Sequence, residues 1–160
     1  MAEAGYRVDV VPGPVAATTA VALSGMPADR FVFEGFLPRK GTHRTERLAA
    51  LGPERRTIVL YEAPHRLRRT LGDLVDLFGP DRPVAVVREL TKLHEEVLRV
   101  TLADAVRHFE ATEPRGEVVL VVAGAREPTG AGVPGDAVEA LYEGLTRCGA
   151  RIEIIGYLLR

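Results

Sequence analysis

Three short segments gather most of the residues able to bind or react. Tyr61-Glu62-Ala63-Pro64-His65-Arg66 follows the apolar run Thr57–Tyr61 and opens a helix. A carboxylate at a strand end can accept hydrogen bonds from a ligand, and His65 or Arg66 can meet a phosphate. The plainer use of Glu62 is to serve the free amides of the helix start. Arg88-Glu89-Leu90-Thr91-Lys92 follows a second apolar run, Pro83–Val87. Its polar and charged groups cannot simply continue a core, and a surface Arg88–Glu89 arrangement is the plainer alternative. Gly35-Phe36-Leu37-Pro38-Arg39-Lys40-Gly41-Thr42 leads into His43 and Arg44 at a strand exit, where binding residues commonly gather. Its order is Lys-Gly where a nucleoside-triphosphate loop needs Gly-Lys, so phosphate-backbone contact and a solvated loop remain. Lys40 and Lys92 are the chain's only lysines, and both lie in these segments. The many arginines, set among abundant Ala, Val and Gly, reflect a coding bias and carry less information.

Other chemistries lack their residues. His94-Glu95-Glu96 has no second histidine at metal-ligand spacing, and the four histidines are scattered. There is no G-x-S-x-G elbow, and Cys148 stands alone near the tail without a nucleophile's context. Gly130-Ala131-Gly132-Val133-Pro134-Gly135 spells a dinucleotide fingerprint, but it does not follow a strand directly, and Pro134 removes a backbone donor. It reads as linker.

The elements that must position the three segments alternate strand and helix. Arg7–Val11 is expected as a strand, Val15–Ser24 as a small-residue helix, Phe31–Leu37 as a strand and Arg44–Leu51 as a helix. Thr57–Tyr61, Pro83–Val87 and Val118–Val122 are apolar without alternation, as strands buried on both faces are. Glu96–Val100 is a further strand. Pro64 suits a first helical turn, and Leu67, Leu71, Leu74, Val75 and Phe78 recur at helical spacing. Thr101 with Asp104 reads as a cap before Leu102, Ala105, Val106 and Phe109. The expected fold is therefore α/β, a mixed and largely buried sheet flanked by helices. Residues 1–124 form this unit, 125–135 a Pro/Gly-rich linker, and 136–160 a helical or irregular tail carrying an amphipathic stretch from Val138 to Leu145.

With 160 residues, 46% hydrophobic and 27% charged, the chain is long enough for one domain and is not a disordered polymer. A net charge of −1 excludes a uniformly basic nucleic-acid coat but leaves room for a local basic patch. One cysteine excludes an internal disulfide framework. No secretory signal is visible at Met1–Gly5, and prolines and glycines break the longest uncharged run, so a cytoplasmic protein away from membranes is expected.

The ordered segments Val10–Ala17, Phe33–Lys40, Tyr61–Leu67, Arg88–Lys92 and Gly116–Leu120 together resemble the C-terminal half of the RsmI-type 16S rRNA (cytidine-2'-O)-methyltransferases, in the tetrapyrrole methylase superfamily. The likeness runs from about Ala4 to Gly124, and the pairing of E-G-F-L-P-R-K with R-E-L-T-K is its most specific part. It implies an enzyme dependent on S-adenosyl-L-methionine, built of two dissimilar α/β domains with the cofactor in the cleft between them, and forming homodimers. Val15, Ala16, Tyr61, Glu62, Leu90 and Thr91 match the C-terminal contribution to that cofactor pocket. Arg39, Lys40, Arg44 and Arg66 are the candidates for contact with the RNA backbone. No catalytic base is singled out. The family's N-terminal cofactor domain has no counterpart here, and Thr146–Arg160 does not match its tail, so a fragment, a gene-model error and a frameshift all stay open.

Three functions compete. The first is 2'-O-ribose methylation of 16S rRNA or the small ribosomal subunit, in a form inactive by itself. The second is methyl transfer to a tetrapyrrole or another small acceptor. The third is a non-catalytic dimerisation or RNA-binding module. A steep loss of binding with added salt separates RNA from a neutral acceptor, and a methyl-transfer assay separates the first two from the third.

Overall fold

The computed structural model describes residues 2–126. Five strands, β1 (Phe31–Phe36), β2 (Thr57–Glu62), β3 (Pro83–Arg88), β4 (Glu96–Thr101) and β5 (Val118–Val122), form one sheet in the order β1-β2-β5-β3-β4. Only β1 and β2 pair in parallel, and the other three pairings are antiparallel. The three apolar runs thus take the three central places, and the strand with charged residues, β4, takes an edge, where a one-sided strand tolerates them.

Two unequal layers cover the sheet. On one face, α2 (Thr42–Leu51), α3 (Pro64–Phe78) and α4 (Leu102–Ala111) bury Leu48, Leu67, Leu71, Leu74, Leu102 and Phe109 against Ile58, Leu60, Val84, Val86 and Leu120. Each such leucine contributes about 2 kcal/mol on burial, whereas helix propensities differ by tenths, so packing decides where these helices form. On the other face, among the described helices, α1 (Ala16–Ser24) lays Ala17, Ala20 and Val21 on Val59, Ala85, Val87, Val119 and Val121. Its small side chains let the backbone come close to the sheet. Arg99 donates to the Leu23 carbonyl in its last turn, and Gly25, at φ +73°, takes the left-handed cap that favours glycine. The cap of α4 is as expected: the Thr101 hydroxyl accepts from the Asp104 amide at 3.2 Å and donates to its carboxylate at 2.8 Å.

One expected strand does not form. Arg7–Val11 is exposed and pairs with neither edge strand of the sheet, β1 or β4, and a strand exists only through pairing. Val15 is the cap before α1 rather than its first residue. The expected linker, beyond Arg126, and the expected helical or irregular tail over 136–160 lie outside the described residues.

Candidate functional site

The C-terminal end of β2 and the start of α1 frame an open cavity of about 470 Å³. Ala16, Phe36, Tyr61, Glu62, Ala63 and Pro64 line one part of it, and Gly116–Val119 the other. Tyr61 organises it. Its hydroxyl accepts the Ala17 amide at 3.2 Å, tying β2 to the first turn of α1, whose cap residue Val15 has no side chain able to do so. Its ring meets Phe33 and Phe36 edge-on at 5.0 and 5.6 Å. Both phenylalanines reach Tyr61 because a bulge between Phe33 and Gly35 resets the alternation of β1. Gly35, at φ +67°, supplies a backbone conformation other residues resist.

Of the six positions read as a cofactor wall, Ala16, Tyr61 and Glu62 share this cavity, with Val15 beside it as the cap of α1. Leu90, like Tyr61, is partly buried against the cluster under α1, and Thr91 is exposed; neither Leu90 nor Thr91 lines the cavity.

Glu62 is 3% exposed and its carboxylate faces inward. Oε1 accepts the Ala63 amide at 2.9 Å and faces Arg66 Nε at 3.2 Å, while Oε2 accepts the Thr70 hydroxyl at 2.6 Å. Arg44 completes the group. Its guanidinium donates to Thr70 Oγ at 2.9 Å, to Asp73 at 2.8 Å and to the Pro38 carbonyl at 3.0 Å. Arg66 donates to the Leu37 carbonyl at 2.8 Å.

Two of the four residues expected to meet RNA phosphates are therefore corrected. Arg44 is 3% exposed and its donors are spent inside the protein. Arg66 is turned to Glu62 and the Leu37 carbonyl in the same way, though less deeply buried. Both hold the loop after β1 instead of extending from it. Arg39 and Lys40, on that loop, are exposed and have no side-chain partner among the described residues. His65, at the start of α3, is exposed too.

The segment after β3 is held differently. Arg88 lies opposite Glu96 on β4 and bonds to it at 2.6 Å, with its guanidinium over the Phe109 ring. The Arg88–Glu89 surface pair does not form: β3 ends at Arg88, and the chain turns off the strand at Glu89, φ +49°. The Glu89 carboxylate instead accepts the Glu117 amide at 2.9 Å and Lys92 Nζ at 3.1 Å. These bonds, the amide first and the lysine second, hold it below the ordinary carboxylate range. A Cβ on Gly116 would stand 2.1 Å from Glu89 Oε1, so glycine is what lets the clasp close. Glu89 at φ +49° and Thr91 at φ +62° sit in left-handed backbone, a strained choice for both residue types.

Sequence reasoning missed Phe36, Gly116 and Thr70. For Thr70 a signal existed: it falls on the same helical stripe as Leu67, Leu71 and Leu74, and a polar residue there needs a buried partner.

Residues 1–106 match the model of the tetrapyrrole (corrin/porphyrin) methylases. The chain belongs to this family. Among methylases of known sequence, it is 49% identical over 120 residues to ribosomal RNA small subunit methyltransferase I of Thermotoga maritima, covering 75% of this chain and 53% of that protein. To the protein of the same name from Mycobacterium tuberculosis it is 51% identical over 123 residues, 77% and 43% of the two lengths. The chain thus spans about half the length of the curated relatives it matches. Among solved methylases, cobalt precorrin-4 methyltransferase CbiF superposes with a TM-score of 0.59 at 20% identity, over 79% of this chain and 56% of the other. Uroporphyrin-III C-methyltransferase of Thermus thermophilus, in complex with S-adenosyl homocysteine, gives 0.51 at 21% identity over 76% and 55%. At such identities the methylase fold is what the two share with this chain. No helix among the described residues is long and apolar enough to cross a membrane.

Proposed function

We infer that this chain is one wall of an S-adenosyl-L-methionine-dependent ribosomal RNA methyltransferase that acts on a cytidine 2'-hydroxyl of 16S rRNA. The observation that carries the reading is identity near 50% to two proteins named as small-subunit rRNA methyltransferases. When bound, the cofactor supplies an activated methyl group. The cavity suits such a molecule: it sets the residues Tyr61 and Phe36 beside Gly116 and the first turn of α1. In this reading Ala16, Tyr61 and Glu62, with Val15 beside them, bind and orient the cofactor from one side, and Leu90 and Thr91 lie outside that cavity. Glu62 acts through its backbone, its carboxylate being already engaged. Arg39 and Lys40 stand three and four residues beyond Phe36 and meet the RNA backbone. The intact enzyme works in the cytoplasm as a homodimer.

A cofactor held in a cleft draws its burial and hydrogen bonds from both walls. The 160-residue chain is expected to bind S-adenosyl-L-methionine weakly in titration calorimetry and to transfer no labelled methyl to small ribosomal subunits. Micromolar binding together with turnover overturns the one-wall reading. For RNA, Lys40→Ala is expected to weaken binding of a 16S rRNA fragment and to lower the salt slope by about one. An unchanged affinity and slope remove Lys40 from the interface.

A further inference from the structure

We propose that the Thr70 hydroxyl is a positioning group that sets the placement of the Arg39–Lys40 loop relative to the cavity wall. That the loop meets RNA rests on the function proposed above; that Thr70 holds the loop does not.

The argument begins with the hydroxyl's single proton. Thr70 is 1% exposed and stands between a carboxylate and a guanidinium, 2.6 Å from Glu62 Oε2 and 2.9 Å from Arg44 Nη2. A hydroxyl donates once and accepts readily. Carboxylates only accept and guanidiniums only donate, so the proton points to Glu62 and a lone pair to Arg44. No apolar side chain can serve both neighbours, and at this depth no water replaces it cheaply.

What hangs on the joint is the loop. Arg44 reaches past Thr70 to the Pro38 carbonyl, and Arg66, held by the same Glu62, reaches the Leu37 carbonyl. Arg69 adds a long contact to the Arg39 carbonyl. The backbone just before the two exposed cations is thus fastened at Pro38 through Arg44 and Thr70 and at Leu37 through Arg66, and both routes converge on the cavity residue Glu62. The spacing between the basic pair and the cavity becomes a property of the fold rather than of a free loop, as a site that must align two large reactants needs.

Trypsin cuts after Arg39 and after Lys40, so cleavage there reads the loop directly. In the full chain, Thr70→Val should speed cleavage at these two bonds about tenfold relative to the unsubstituted protein, while cleavage after Arg88 and Arg99, in β3 and β4, stays unchanged. Thr70→Ser, which keeps the hydroxyl, should restore the original rate. Loss of about tenfold in affinity for the 16S rRNA fragment, recovered by serine, is expected alongside. Unchanged cleavage at the loop in a folded Thr70→Val protein overturns the proposal. So does equal acceleration at all four sites, which would make Thr70 a general core residue. Lys40→Ala, measured in parallel, reports on the RNA reading by itself: if it is silent, that reading falls and the trypsin pattern still decides the role of Thr70.

Discussion

The loops leaving β1 and β3 are both fastened by a glutamate, yet the two glutamates work in different media. Glu62 is sealed under α3, surrounded by Thr70, Arg66 and its own following amide. Glu89 sits at the surface, where water and salt compete for Lys92. The buried group is costly to disturb and indifferent to salt. The surface clasp is weaker and open to titration. The loop with the exposed basic pair is the one given the solvent-proof anchor, so its position should persist across conditions that release the other.

The sharpest way to break the contrast is Glu62→Leu. It strands Arg66 and Thr70 in the interior and is expected to cost about 3 kcal/mol in urea unfolding. A cost below 1 kcal/mol would mean that the buried set relaxes easily. Next comes Gly116→Ala. The added Cβ meets the Glu89 carboxylate and the residue loses its freedom at φ +76°, so a loss of about 2 kcal/mol in the same assay is expected. If Glu89→Ala, which clears that space, recovers part of the loss, the clash is its source.

Smaller still is the acid response of the clasp. Glu89 is held below its ordinary range by the Glu117 amide and then by Lys92, so its contribution is complete above that range and disappears as pH falls through the lowered value. The difference in melting temperature between the protein and Glu89→Gln should shrink from neutral pH to about pH 3. It should also narrow with added salt. A constant difference would place the glutamate's effect in packing instead of charge. Smallest of all, Arg115→Ala, which removes an ion pair exposed at both ends, should leave the unfolding midpoint in place.

Much of the frame was readable from the chain. Thr57–Tyr61, Pro83–Val87 and Val118–Val122 announce central strands because only a strand covered on both faces is apolar at every position. Thr101 and Asp104 announce the start of α4. The misreadings concern partners distant along the chain. Arg44 looks like a surface cation beside Arg39 and Lys40; nothing local reveals that Asp73, nearly thirty residues on, will claim it. Tyr6, Val8 and Val10 have the alternation of a strand, but pairing is a property of two segments. The bulge that turns Phe36 toward Tyr61 shifts the register of β1 on β2, which no pattern in β1 by itself encodes.

The sheet order also carries a consequence for how the chain is made. The last of the described strands in chain order, β5, lies in the middle, bonded to β2 on one side and to β3 on the other. Until Val118–Val122 emerges from the ribosome, β1–β2 and β3–β4 are two separate ribbons with apolar edges and nothing to join them. Collapse to the finished sheet waits for the keystone, and the interval before it arrives is when the nascent chain is most exposed to mispairing. A stop before Val118 should leave two hairpin-sized pieces that aggregate, whereas one just past Ala125 leaves a sheet able to close.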